Sequence, residues 1–307
     1  MDRINLALDW TPNINHIGFF IARDKAFFAE LDLEVHISDP SFDNYAITPA
    51  KKVELGIADF ALCPTESIIS YQTKKKTFKL IGVSAILQED LSAIVVSSDS
   101  GIQSPKDLDG KSYASYQARY EDEIVRQMII KDGGMGALEL HYPKKLGIWE
   151  TVTKGQFDST WIFLNWEGVE AEQKGVSLRS FRLADYDIPY SYSPILVTDE
   201  QNLRNREDAY RRFIQGCKKG FLHSVSNPEE SIQILRKYLP PRDRDMDLAK
   251  CLEITAPHFG DKSNWGLISE QKMKSFLDWI YEHKLESKKL NVRNLYSNSL
   301  LKAKSNS

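Results

Sequence analysis

The sequence predicts an α/β protein of two lobes, each a mainly parallel sheet flanked by helices. Three observations carry this expectation. At 307 residues the chain exceeds the size at which one core is usual. Short alternating or apolar runs with strand character repeatedly precede helical stretches, the pattern of a doubly wound sheet. Apolar runs near positions 91 and 194 sit where the chain would cross between lobes, assigning 1–91 and 194–307 to lobe one and 92–193 to lobe two.

In chain order, Ile4, Leu6 and Leu8 alternate and mark the first strand, which runs into Asp9-Trp10-Thr11-Pro12-Asn13. A helix is expected from His16 to Leu31, where Phe19, Phe20, Phe27, Phe28 and Leu31 form one apolar stripe. Leu33 to Ile37 is a second strand, and its exit, Asp39 to Tyr45, is rich in turn formers. A short helix near Tyr45 to Leu55 precedes an apolar strand at Asp59 to Pro64. Thr65 is placed to cap the next helix, and Phe78 to Ile86 is the fourth strand.

Leu91 to Val96 is the expected crossover, and Lys111 to Tyr116 the first strand of lobe two. A helix at Asp122 to Lys131, a strand at Leu138 to His141 and a helix at Trp149 to Lys154 follow. The strand Asp158 to Phe163 ends in Leu164-Asn165-Trp166-Glu167-Gly168, a second aromatic-carboxylate loop ahead of a helix. Tyr192 to Val197 returns the chain to lobe one. Helices are expected over Ala209 to Ser224, from Asn227-Pro228 with proline at the helix entry, over Arg244 to Thr255, and over Ser269 to His283. The tail Ser297 to Ser307 is polar and expected to fray.

Composition excludes several function classes. Hydrophobic residues make up 42% and charged residues 27%, an ordinary globular balance. A net charge of −3 gives no basic field for nucleic acid. No run approaches the roughly 20 apolar residues of a membrane-spanning helix. Cys63, Cys217 and Cys251 are far apart and odd in number, so neither a metal site nor a disulfide frame is expected. Met1-Asp2-Arg3 leads directly into the first strand. A native start there implies a cytoplasmic protein, and a removed leader a periplasmic or lipid-anchored one.

The opening stretch, Asp9-Trp10-Thr11-Pro12 with His16 and then Phe27-Phe28-Ala29-Glu30-Leu31-Asp32-Leu33, resembles the start of the thiamine-pyrimidine family of binding proteins. The resemblance extends to about residue 280 and is most specific in the first third of the chain. It implies the type II periplasmic-binding-protein fold and a pyrimidine precursor of thiamine as ligand, with an ABC-type permease as partner in the receptor role. Strand ends are where open α/β sheets bind ligands, helped by unpaired N–H groups at helix starts. Topology and resemblance together therefore place the ligand between hinged lobes. Lobe one would contribute Asp9, Trp10, Asn13, His16, Phe42, Asn44, Cys63, Pro64, Thr65 and Glu66. Lobe two would contribute Ser115, Tyr116, Tyr120, Asn165, Trp166 and Glu167.

This set suits a flat polar ring. Trp10, Tyr116 and Trp166 offer faces for stacking, and Glu66 or Glu167 can accept from an exocyclic amine. Each has a structural alternative. Trp10 could be a core tryptophan, His16 could bond a neighbouring backbone group, Glu66 could serve as a first-turn carboxylate, and Glu167 could be solvated. Trp149, Trp265 and Trp279 read as packing residues, and Lys74-Lys75-Lys76 as a solvated helix end.

The family also contains fungal thiamine-pyrimidine synthases, in which a Lys and a His on the helix after the third strand anchor the cofactor and donate the pyrimidine. Ungapped alignment puts Cys63 and Ser67 at those positions, and Ser191 to Leu196 lacks the cysteine run of the synthases. The binding reading is therefore preferred, with no cofactor or metal expected. The synthase reading is one alternative, and a receptor for a sulfonate or nitrate-like anion is another. The few arginines and several carboxylates in the candidate loops speak against an anion.

Overall fold

The computed structural model describes residues 1–144 and 147–302. In chain order its elements are β1 (Asp2–Ala7), α1 (Ile17–Asp24), β2 (Leu33–Ser38), α2 (Pro49–Glu54), β3 (Phe60–Cys63), α3 (Thr65–Thr73), β4 (Leu80–Ala85) and β5 (Ser92–Ser97). There follow β6 (Lys111–Ala114), α4 (Glu121–Lys131), β7 (Leu138–His141), α5 (Ile148–Thr153), β8 (Ser159–Phe163), α6 (Glu167–Gln173), β9 (Leu178–Phe181) and β10 (Ile195–Asp199). The chain ends in α7 (Glu200–Asn205), α8 (Glu207–Ser226), α9 (Pro228–Arg236), α10 (Leu248–Thr255) and α11 (Glu270–Glu282).

The chain divides into two compact units. The first holds Met1–Asp90, Ser191–Lys274 and the segment from Lys288 onward, and the second holds Leu91–Tyr190 with Ser275–Ser287. The sheet of the first unit has the order β2-β1-β3-β10-β4, and that of the second β7-β6-β8-β5-β9. In the first, β1 lies parallel to β2 and β3, whereas β10 runs antiparallel to β3 and β4. In the second, β6 lies parallel to β7 and β8, whereas β5 runs antiparallel to β8 and β9. The strand that opens the second unit and the strand that re-enters the first are thus the reversed ones. Among the described residues no helix is long and apolar enough to cross a membrane.

The expected helix from His16 to Leu31 is shorter than the apolar stripe suggested. It ends at Asp24, because Ala26 adopts a left-handed φ of 59°. Phe27 and Phe28 leave the helix but stay buried, and Phe28 stacks on Phe213 at 5.4 Å. Phe213 in turn stacks on Phe60 of β3 at 4.5 Å, so one ring column joins α8 to the sheet. The helix expected from Tyr45 begins only at Pro49, after a 3-10 turn at Pro40–Asp43. The periodicity missed β9 and α7. The tail was expected to fray, yet Leu300 is buried and Arg211 donates to the Ser299 carbonyl at 2.7 Å. The rest of the expected tail, 303–307, lies outside the described residues.

A close helix crossing in the first unit joins α1 to α8. Gly18 faces the Phe221 ring, and Gly220 lies directly against the Gly18 carbonyl. Asp59, just ahead of β3, ties the other end of the sheet together. Its carboxylate accepts from Asn5 N at 2.8 Å, from Tyr210 Oη at 3.0 Å and from Arg206. Trp149 packs in the core of the second unit with Val95, Ile162 and Ala171, and Trp265 lies 5.5 Å from Phe221. Trp279 stacks on Phe276, so all three tryptophans pack as expected. Lys74 bonds Glu54 at 2.7 Å and lies over the Tyr71 ring, so the first of the three lysines is not simply solvated.

Candidate functional site

The loop between β1 and α1 is built around a fully buried histidine. Asn13 caps the single 3-10 turn Ile14–His16, and its Oδ1 accepts from Asn15 N at 2.9 Å. In return Asn13 N donates to His16 Nδ1 at 3.2 Å, a reciprocal capping box. A ring nitrogen that accepts a backbone N–H carries no hydrogen, so the hydrogen of the neutral ring sits on Nε2. Nε2 donates to Asp9 Oδ1 at 2.8 Å. His16 is 0% exposed and Asp9 26%, so the ring fixes a carboxylate at the surface of the loop. Both ring nitrogens of His16 are engaged, and the expected backbone bond and a positioning role coexist.

Trp10 follows Asp9 and is half-buried. It lies against Tyr45, with ring centroids 5.7 Å apart and planes at 60°. Tyr45 comes from the turn after β2, where Asn44 and Tyr45 take successive left-handed φ values of 53° and 62°. The Tyr45 hydroxyl is buried with no hydrogen-bond partner among the described residues. Burial pushes its pKa above the usual range, against the pull of the nearby Arg242 guanidinium. Asn44 itself is exposed. The sequence places Tyr45 in the strand exit expected to line the ligand site but singles out only Asn44 and Phe42 as contributors, because a residue amid turn formers carries no periodicity.

The β3–α3 junction adds a third group. Cys63 ends β3 and is buried, and its thiol bonds Ser67 one turn into α3. Burial, together with the Asp9 and Glu66 carboxylates, drives the thiol pKa far above its usual range, overriding the Ser67 hydrogen bond. Glu66 is itself buried in the first turn of α3. Asp9, Cys63, Glu66 and Ser67 therefore lie in one neighbourhood, at the carboxyl ends of the adjacent strands β1 and β3. The two positions aligned with the synthase Lys and His are paired with each other. Iodoacetamide at pH 8 is expected to leave Cys63 of the folded protein unmodified and to label it after denaturation, read by peptide mass. Rapid labelling of the folded form would mean that the thiol is an accessible nucleophile.

Thr65 is not the cap the sequence suggested. Pro64 holds the N-cap position, and Thr65 is the first helical residue. The Thr65 hydroxyl donates to the Tyr192 carbonyl at 2.9 Å and accepts from Tyr192 N at 3.1 Å. It links this junction to the segment entering β10 and is committed to backbone. A side chain that bonds a residue 127 positions away leaves no local signal.

In the second unit the expected residues also fall at strand ends. Ser115 Oγ donates to Asp122 Oδ1 at 2.6 Å and accepts from Gln117 N at 3.0 Å. Glu121, which the sequence reading passed over, organises the loop. Its carboxylate accepts from Tyr116 N at 2.9 Å, Ala118 N at 3.0 Å and Tyr113 Oη at 2.8 Å. Burial raises its pKa although these donors pull the other way. Tyr120 is buried, its hydroxyl bonds Glu286 at 3.3 Å, and burial raises its pKa to about 12. After β8, Asn165 and Trp166 are both buried. Glu167 Oε2 accepts from Phe163 N at 3.0 Å and closes the turn into α6, so this oxygen is committed to backbone.

Three comparisons bear on this geometry. Residues 13–231 match the family model described as NMT1/THI5 like. A formylaminopyrimidine-binding protein of Halalkalibacterium halodurans is 22% identical over 243 residues, covering 76% of this chain and 70% of that protein. A 4-amino-5-hydroxymethyl-2-methylpyrimidine phosphate synthase of Legionella pneumophila is 24% identical over 245 residues, covering 78% and 74%. Among solved structures, a Candida albicans gene product described as exhibiting the generic periplasmic binding protein fold superposes with a TM-score of 0.71. That match covers 100% of this chain and 99% of the other at 11% identity, and it shows that this chain has the same fold.

Proposed function

This chain belongs to the NMT1/THI5-like family, and we propose that it binds a small heteroaromatic thiamine precursor. The ligand class is an aminopyrimidine such as hydroxymethyl- or formylaminopyrimidine. The role is that of a receptor for an ABC-type importer or a related binding protein of thiamine salvage. The observation that carries this reading is the Asp9–Trp10 pair. Trp10, half-buried and lying against Tyr45, directly follows a carboxylate that a buried His16 holds in place just beyond the end of a strand. A pyrimidine stacks on the Trp10 face, and Asp9 accepts from its exocyclic amine through the oxygen not used by His16. Glu66 adds a second carboxylate nearby, this one buried.

Further support comes from the relatives, one of which is named for binding formylaminopyrimidine. Another is named a pyrimidine phosphate synthase. At the positions aligned with the synthase Lys and His, this chain carries a protonated thiol bonded to a serine, which offers neither a Schiff-base amine nor an imidazole.

A thermal-shift titration against hydroxymethyl-aminopyrimidine, its formylamino analogue, thiamine, taurine and pyridoxal phosphate tests the proposal. At 100 times its dissociation constant a ligand adds about 2.7 kcal/mol to the folded state. Stabilisation by the two pyrimidines is expected, with about tenfold weaker binding in Asp9→Asn, where one amide NH2 replaces an acceptor oxygen. Taurine acting alone would favour the anion receptor. Pyridoxal phosphate acting alone, with a new absorbance band, would favour the synthase.

A further inference from the structure

The turn that carries Tyr45 is held in an unfavourable state on three separate counts. Asn44 and Tyr45 follow one another in the left-handed region, which glycine, and to a lesser degree asparagine, adopts readily but tyrosine does not. Tyr45 Oη is buried without a partner among the described residues, and so is Asp43 Oδ1 two residues earlier. The other Asp43 oxygen is taken by Lys52 Nζ at 2.9 Å. The Tyr45 ring meets Trp10 at a 60° tilt rather than stacked. Backbone strain and unmet polar atoms concentrate where a protein handles a ligand. The same turn leaves Phe42 71% exposed.

We propose that Tyr45 is a ligand-binding, specificity-determining residue, whose ring is the second aromatic wall beside Trp10 and whose hydroxyl bonds a polar substituent of the ligand ring. This deepens the aminopyrimidine reading and rests on it for the ligand. The tilted pair leaves no parallel slot, so the Tyr45 ring swings as the flat ring enters, with the left-handed Asn44–Tyr45 pair as the hinge. The swing frees a hydroxyl that can donate or accept. A pyrimidine with a hydroxymethyl or formylamino group satisfies it, and one with a bare methyl group does not.

The test is titration calorimetry of wild type, Tyr45→Phe and Tyr45→Ala with 4-amino-5-hydroxymethyl-2-methylpyrimidine and its 5-methyl counterpart, alongside ligand-free melts. Wild type is expected to prefer the hydroxymethyl compound by about tenfold, the worth of one hydrogen bond. Tyr45→Phe loses that preference and melts, ligand-free, at the wild-type temperature or above, since it removes an unpaired buried hydroxyl. Tyr45→Ala weakens both compounds by about a further tenfold. A retained preference in Tyr45→Phe overturns the proposal. So does a lower ligand-free melting temperature in that variant, which would give the hydroxyl a structural partner. If wild type binds neither compound, the aminopyrimidine reading falls. The melts then still decide the hydroxyl: a lower melt in Tyr45→Phe overturns its binding role, and an unchanged or higher one supports it for a flat ligand of another kind.

Discussion

Trp10→Ala is expected to weaken aminopyrimidine binding by about 100-fold while moving the ligand-free melting temperature by only a few degrees. Stacking one base-like ring on an aromatic side chain is worth about 1–3 kcal/mol by alanine substitution, and the upper end applies where the ring supplies most of the ligand's apolar contact. The ligand-free cost is small because Trp10 is half-buried in a loop and its ring partner Tyr45 is half-buried too. The capping box and the His16–Asp9 bond use neither the Trp10 ring nor its indole N–H. Titration calorimetry together with a melt separates the two effects. Unchanged affinity in a folded Trp10→Ala protein would remove Trp10 from the site and, with it, the observation that carries the proposed function.

Gly220→Ala is expected to be the most damaging single-methyl change in the first unit. A Cβ at Gly220 would sit 2.0 Å from the Gly18 carbonyl oxygen and 3.0 Å from Ala22 Cβ. The first neighbour is backbone of α1, which cannot rotate away, so α1 and α8 must move apart. Phe221 is wedged on the same crossing, where its ring meets Phe19 edge-on at 5.1 Å. Overpacking costs about 1–3 kcal/mol where side chains can yield and more where backbone must shift, so a loss near 4 kcal/mol is expected. That corresponds to a drop of roughly 10 °C in melting temperature. Gly168→Ala is the control. Gly168 lies in α6 and its new Cβ would meet nothing closer than Leu164 Cβ at 3.6 Å, so alanine's helix propensity should leave stability equal or slightly higher. A Gly220→Ala protein that melts with the wild type would show that the crossing is looser than its geometry indicates. Because α1 begins one residue after His16, the same variant should also weaken ligand binding.

What was legible in the sequence follows from where each signal is stored. Alternation at Ile4, Leu6 and Leu8 is written within one strand and the residue that follows it, and the structure buries all three. Leu138–His141 was found with its observed bounds, although no residue in it is fully buried, because turn residues bracket it. β9 was missed because Leu178–Phe181 mixes Arg and Ser into an edge strand paired on one side only. The helix after the first loop was overextended for a related reason. Phe27 and Phe28 continue the apolar stripe, but they reach the core from a turn, and only the left-handed Ala26 reveals it.

The candidate site divides in the same way. The residue types at the strand ends, Asp9-Trp10, His16, Cys63 to Glu66, and Asn165 to Glu167, were legible because strand exits can be read locally. Their individual roles were not. His16 turned out to be the anchor of Asp9 because its second nitrogen meets the Asn13 backbone. Thr65 serves Tyr192, Glu121 clamps the Ser115–Tyr120 loop, and Tyr45 supplies the ring against Trp10.

By itself the sequence determined the α/β class, the strand–helix order apart from β9 and α7, and which loops carry polar and aromatic groups, since periodicity and turn chemistry act over a few residues. Only the tertiary structure decided that β5 and β10 reverse within their sheets, that Cys63 is held as a protonated thiol against Ser67, and that Tyr45 lies strained on Trp10. These are pairings between groups far apart in the chain or states set by burial. Their energies exist only once the core has brought those groups together and excluded water.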